Sequence, residues 1–123
     1  MRELMRMVVT QGTGGKADVP GYPVGGKTGT AEKPVPRGYD EKRLVTSFVG
    51  VFPAKSPLYV VLVVLDEPQP SEATHGFASA GWTAAPTAGN VIARIAPMLN
   101  VPVAPIEPSK GAPTTLASYE ELR

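Results

Sequence analysis

The sequence predicts an α+β fold: three antiparallel strands flanked by an N-terminal and a C-terminal helix. Three observations predict it. Apolar residues recur with helical spacing at both ends of residues 1–100. Between them lie two runs rich in β-branched and aromatic residues, "LVTSFVGVF" (44–52) and "LYVVLVVLDEP" (58–68). No helical pattern separates these runs, so no crossover is available to make them parallel.

Each element follows from its residues. In "MRELMRMVV" (1–9), Met1, Leu4, Met5 and Val8 form a helical stripe. It is apolar from its first residue, which reads as the end of a longer element. "TQGTGGKADVP" (10–20) is a polar glycine loop. Residues 22–31 read as a glycine-rich strand. "EKPVPRGYDEKR" (32–43), with two prolines and a dense set of charges, reads as an exposed loop. The run 44–52 is a strand. "PAKSP" (53–57) is a tight link to the run 58–68, whose unbroken apolar character predicts a strand buried on both faces. Residues 69–82 form a loop. Residues 83–100 form the last helix, with Thr83 as N-cap, Pro86 early in the helix and Ala88, Ile92, Ile95 and Leu99 as its stripe. Pro97 falls in its last turn. Residues 101–123 read as a proline-rich, loosely ordered tail.

Composition limits the function classes. The 123 residues suit one small domain, and the formal net charge of +1 gives no electrostatic case for nucleic acid or an anionic membrane. The longest apolar run, 58–65, is too short to span a bilayer as a helix. Residues 1–9 carry Arg2, Glu3 and Arg6 and do not read as a secretory leader. Cysteine is absent, which excludes disulfides and thiolate metal sites. No metal-ligand set and no cofactor motif is expected.

The segment "GYPVGGKTGTAEK" (21–33) carries the chemistry. Gly21, Gly26, Lys27 and Thr28 satisfy the phosphate-loop pattern G-x-x-x-x-G-K-[ST]. That loop needs a buried strand before it and a helix after it. Here Pro23 interrupts the loop, and Gly29, Pro34, Pro36 and Gly38 forbid the helix. Read from the lysine, the segment is K-T-G-T. On a strand, Lys27 and Gly29 share one face and Thr28 and Thr30 the other. A lysine stabilises negative charge, two hydroxyls bind a carboxylate, and a free strand N–H serves an oxyanion. Gly29 leaves room for a substrate backbone.

K-T-G is a signature of penicillin-binding proteins and class A β-lactamases. The surrounding segments "SFVGVFP", "YVVLVVLDEP" and "GWTAAPTAGN" follow it in order. Together, over residues 1–101, they resemble the C-terminal part of the class B penicillin-binding proteins, of the division-specific peptidoglycan D,D-transpeptidase type. The resemblance implies the C-terminal part of the β-lactamase/transpeptidase-like fold. It implies a serine enzyme that cross-links peptidoglycan stem peptides ending in D-Ala-D-Ala through an acyl-enzyme, and that β-lactams acylate. By that pattern Lys27 is the motif lysine, and Thr28 and Thr30 bind the substrate carboxylate. Thr30 N–H is an oxyanion donor, so Lys27 and Thr30 are the catalytic candidates, and Gly29 gives clearance. The resemblance also implies a parent anchored in the inner membrane with this domain in the periplasm, and division-machinery proteins as partners.

The family's other two motifs are missing. No serine of the chain begins S-x-x-K, and neither Asn90 nor Asn100 has a serine two residues before it. The chain is therefore expected to be a fragment, inactive alone, that works with the remainder of its own domain. A non-catalytic penicillin-binding or sensor module of the same fold is the alternative reading. His75 is expected to be a loop histidine and Trp82 a packing anchor. Asp66 and Glu67 are expected to point to opposite faces and to meet water. Tyr39 and the 32–43 loop could border the cleft, although a solvated loop is the simpler reading. Gly12, Gly14 and Gly15 make a loop rather than a nucleotide fingerprint, because no strand precedes them.

Overall fold

The computed structural model describes residues 1–105. Its elements are α1 (Arg2–Gln11), a single 3-10 turn (Gly15–Ala17), β1 (Gly25–Val35), β2 (Gly38–Phe52), β3 (Tyr59–Asp66) and α2 (Ala84–Met98). The sheet runs β1-β2-β3, and both pairings are antiparallel. The predicted order of helix, three strands and helix is present.

The sheet buries one face. Phe48 and Phe52 of β2 join Val24, Val9 of α1 and Ala84, Ala85, Ala88, Ile92 and Ala96 of α2 in one core. The Phe48 ring lies over the paired Gly26 and Gly50, where a Cβ at Gly50 would stand 2.8 Å from it. The small residues of α2 let it approach the sheet closely. Val61, Val63 and Leu65 of β3 pack on the same core.

Four expectations need correction. First, β3 is buried on one face only. Val60, Leu62 and Val64 are 70%, 64% and 55% exposed, and Val49 of β2 is exposed beside them. An unbroken apolar run records what side chains prefer, not how many layers are present to cover them.

Second, residues 32–43 are not a loop. β1 and β2 extend through them as a hairpin whose turn is Pro36–Arg37, followed by Gly38 at φ 120°. The register shifts between Glu32 and Lys33. Pro34 is tolerated because β1 is an edge strand and one side of it needs no ladder donor. Exposed backbone pairing accepts charged side chains on both faces.

Third, the α1 stripe is rotated. Val9 is buried, Met5, Arg6 and Val8 are half-buried, and Met1 and Leu4 are exposed. Arg6 takes an inward position because its guanidinium has acceptors there. It donates from Nη1 to Asp18 Oδ1 at 2.7 Å and to Val24 O at 2.8 Å, and from Nη2 to Asp18 Oδ2 at 3.3 Å. This fork docks α1 on the segment that leads into β1.

Fourth, the tail is packed where it begins. Val101 is buried, and Ala104 N–H donates to Gly21 O at 2.7 Å. The rest of the predicted loose tail lies outside the described residues.

Thr83 does precede α2, but its hydroxyl caps nothing. It donates instead to Ser79 O at 2.9 Å or Ala78 O at 3.2 Å, and lies 3.1 Å from the buried Thr46 hydroxyl. The pair ties α2 to β2 across the core.

Candidate functional site

K-T-G-T occupies residues 27–30 of β1, an edge strand. Strand continues to Val35, so no helix starts after Thr28 and the phosphate-loop geometry is absent. An edge strand paired on one side leaves alternate N–H and C=O groups pointing away from the sheet.

The strand's pleat divides the motif. Thr28 and Thr30 line one cleft of about 360 Å³, together with Gly12, Thr13, Lys16 and Trp82. Lys27 is not among its walls. Its ammonium is exposed and donates to the carbonyl of Thr28 at 2.8 Å. Gly29 shares the lysine's face, as alternation requires. A Cβ there would stand 2.7 Å from Ser47 Oγ, so the glycine also makes room for its cross-strand neighbour.

Both threonine hydroxyls have partners from other segments. Ala80 N–H donates to Thr30 Oγ1 at 3.0 Å. Thr28 Oγ1 lies 2.6 Å from Thr13 Oγ1. The cleft is thus walled by β1, by the glycine loop before it and by the segment that enters α2. Sequence reading missed Thr13, Lys16 and Ala80. Nothing in a polar glycine loop marks one threonine as a neighbour of a residue fifteen positions later.

Trp82 organises the far wall. Phe77 stacks on it with ring centroids 5.4 Å apart, and His75 meets it edge-on at the same distance. Lys16 Nζ sits 4.4 Å from its ring centroid. Trp82 is therefore an anchor, as expected, and it also faces the cleft. His75 is a loop histidine at φ 52°. Tyr39 is exposed on the hairpin and is not among the residues lining the cleft.

Asp66 meets water as expected, but it and Glu67 do not point apart. Glu67 adopts φ 52°, which turns it out of the strand's alternation. Both carboxylates then reach Lys33 Nζ, at 2.6 Å from Asp66 and 2.9 Å from Glu67. Arg43 Nε also donates to Glu67 Oε1 at 2.8 Å. The hydrogen bonds from Lys33 and then Arg43 hold the Glu67 carboxyl below its ordinary value. The bonds that Lys33 donates to Asp66 and then to Glu67 hold its ammonium above its ordinary value. This network joins all three strands beyond the register shift and stands apart from the cleft.

Chemically, the arrangement offers an exposed ammonium, two hydroxyls and an unpaired strand edge. It suits the binding of an anionic, extended ligand. It contains no serine placed beside a lysine base in the S-x-x-K pattern.

The profile of the penicillin binding protein transpeptidase domain matches residues 1–92. The chain is 52% identical over 110 residues to a probable peptidoglycan D,D-transpeptidase FtsI of Caulobacter vibrioides, covering 82% of this chain and 19% of that protein. It is 43% identical over 101 residues to the stage V sporulation protein D of Bacillus subtilis, covering 82% of this chain and 15% of that one. Among solved structures, the apo transpeptidase domain of Burkholderia pseudomallei penicillin-binding protein 3 superposes with a TM-score of 0.70 at 43% identity, covering 83% of this chain and 30% of that one. Mycobacterium tuberculosis penicillin-binding protein 3 in complex with ampicillin gives 0.70 at 35% identity, covering 91% and 25%. The chain thus spans a fifth or less of the curated relatives it matches. By profile, by identity and by fold, the chain belongs to the penicillin-binding protein transpeptidase family.

Proposed function

We propose that this chain supplies the K-T-G-T strand of a peptidoglycan D,D-transpeptidase. The observation that carries the reading is the split presentation of residues 27–30 on a free edge. Lys27 is exposed on one face, and Thr28 and Thr30 open into a single cleft on the other. The relatives' names, peptidoglycan D,D-transpeptidase among them, support the reading.

In this proposal the nucleophilic serine comes from polypeptide beyond these residues. It attacks the penultimate D-Ala carbonyl of a stem peptide, releases the terminal D-Ala and forms an ester. An amine of a second stem peptide then takes the acyl group and restores the serine. Lys27 stabilises charge beside that serine. The hydroxyls of Thr28 and Thr30 hold the terminal carboxylate, and Thr30 N–H donates to the oxyanion. Gly29 admits the peptide backbone. Residues 1–100 belong to the transpeptidase domain, and residues 101–104 pack against it.

The remainder of the domain is the first partner. The bare apolar face of Val49, Val60, Leu62 and Val64 is where it would pack. β-Lactams are the second kind of ligand, since the Mycobacterium tuberculosis relative was solved with ampicillin and with aztreonam. A membrane-anchored, periplasmic parent acting in division fits the FtsI relatives. Among the described residues, no helix is long and apolar enough to cross a membrane. The sensor alternative is less supported, because the relatives' names describe enzymes.

The test is acylation by benzylpenicillin, read by intact mass. The 123-residue chain should gain no adduct, and the intact protein that carries it should gain one. Lys27→Ala in that protein should slow acylation by about 100-fold or more and change the melting temperature little, because the ammonium's bond is to the carbonyl of its own neighbour Thr28 and ties no second segment. A stoichiometric adduct on the isolated chain, or full-rate acylation of the variant, would refute the assignment.

A further inference from the structure

The two threonines of the motif are not equivalent to free hydroxyls. A backbone amide can only donate, so the bond from Ala80 N–H to Thr30 Oγ1 occupies an acceptor site. Thr30's own proton remains available to a ligand. Thr28 is paired with another hydroxyl, Thr13, at 2.6 Å, and that bond can run in either sense. An anion in the cleft removes the ambiguity. Carboxylate oxygens only accept, so Thr28 must donate to the anion and accept from Thr13. The chain Thr13 O–H to Thr28 O–H to carboxylate is then aligned head to tail, and each bond polarises the next.

We propose that Thr13 is a positioning residue of the K-T-G-T site: its hydroxyl donates to Thr28 and sets Thr28 as a donor to a carboxylate in the cleft. The proposal rests on the transpeptidase reading above and deepens it. Thr13 is held for this task by its backbone. A Cβ at Gly81 would stand 2.8 Å from the Thr13 carbonyl oxygen, and one at Gly89 would stand 2.9 Å from the Lys16 carbonyl. The glycine loop therefore seats directly on the segment that opens α2 and on α2 itself. Gly14 N–H anchors the loop's other side by donating to Val8 O at 3.0 Å. Lys16 is the cation among the residues lining the same cleft, so the field there also favours an anion.

A purely structural role for Thr13 makes a different forecast. A loop tie would support every ligand of the site equally. A donor relay supports only ligands that carry the carboxylate.

The experiment uses the intact protein that carries this chain, as wild type, Thr13→Val and Thr13→Ser. The second-order acylation rate is measured with benzylpenicillin and with its methyl ester, which lacks the charged carboxylate. Thr13→Val should slow benzylpenicillin by about tenfold, the scale of a charge-assisted hydrogen bond weakened through one relay. It should leave the slower ester reaction within about twofold. Thr13→Ser should keep the wild-type ratio of the two rates. Thr13 is solvent-exposed, so valine is expected to fold, and Thr13→Ala makes the same comparison if it does not. Equal slowing of both probes, or no slowing of either, would overturn the relay. Failure of the wild type to react with either probe would instead overturn the transpeptidase reading and the relay with it.

Discussion

The two faces of the sheet both carry large apolar side chains and meet opposite fates. On the inner face, Phe48 and Phe52 are wholly buried under α1 and α2. On the outer face, Val49, Val60, Leu62 and Val64 are just as apolar and stand exposed. The strands thus present apolar side chains to both sides, and the described residues cover one. That difference teaches how to read the site. The inner side of β1 carries Thr28 and Thr30 into a cleft whose walls are complete enough to fix their hydrogen bonds. The outer side carries Lys27 toward the uncovered layer, where its ammonium has turned back onto its own strand.

The largest effect should come from breaking the finished face. Phe48→Ala removes a ring seated over Gly26 and Gly50, and backbone so close beneath it collapses poorly into the space. The cost should be about 3–5 kcal/mol. A urea titration of the intact protein should show its domain unfolding at a much lower midpoint. A loss under about 1 kcal/mol would mean that the inner face is not the main source of stability.

The next effect should depend on context, and it tests the comparison directly. Leu62→Asp in the 123-residue chain replaces an exposed leucine, so solubility should rise and binding of a hydrophobic dye should fall. In the intact protein the same change should cost about 3 kcal/mol or more, because a carboxylate would be buried without a partner. Melting curves of both proteins decide it. An unchanged intact protein would show that this face stays open to water and that the remainder of the domain packs elsewhere.

The same contrast explains what was legible beforehand. The order of elements, the antiparallel pairings and the placement of K-T-G-T on a strand follow from periodicity and punctuation, which are local. The stripe of α2 was legible at Ala88 and Ile92 for the same reason. Layer count was not, because β3 reads the same whether or not something covers Leu62. The hairpin through 32–43 was hidden by its prolines and charges, since edge pairing is a backbone property with weak side-chain requirements. Thr13 was invisible because its partner Thr28 is brought to it only by the fold. Glu67 misled through one backbone angle: alternation predicts divergent carboxylates, and φ 52° makes them converge on Lys33.

That convergence sets the smallest expected effect, at the end of the sheet where Lys33, Arg43, Asp66 and Glu67 link the three strands. The Glu67 carboxyl is held below its ordinary value by Lys33 first and Arg43 second. A lowered carboxyl contributes stability that is fully present above the unfolded value of about 4.3 and is lost as pH falls through the folded one. Lys33 is raised by Asp66 and then Glu67, so its share persists below the ordinary lysine value and is lost as pH rises through the raised one. Between these limits Glu67→Gln should lower the melting temperature slightly and by a constant amount. Below the unfolded carboxyl value the gap between wild type and variant should close. Lys33 and Glu67 are only half-buried and Asp66 and Arg43 are open to solvent, so about 1 M salt should also shrink it. A gap that survives both acid and salt would mean that Glu67 acts through the shape of the strand end. The Glu67 N–H bond to Leu44 O, at 2.8 Å, is backbone and survives the substitution, so it keeps the end of β3 tied to β2 in both proteins.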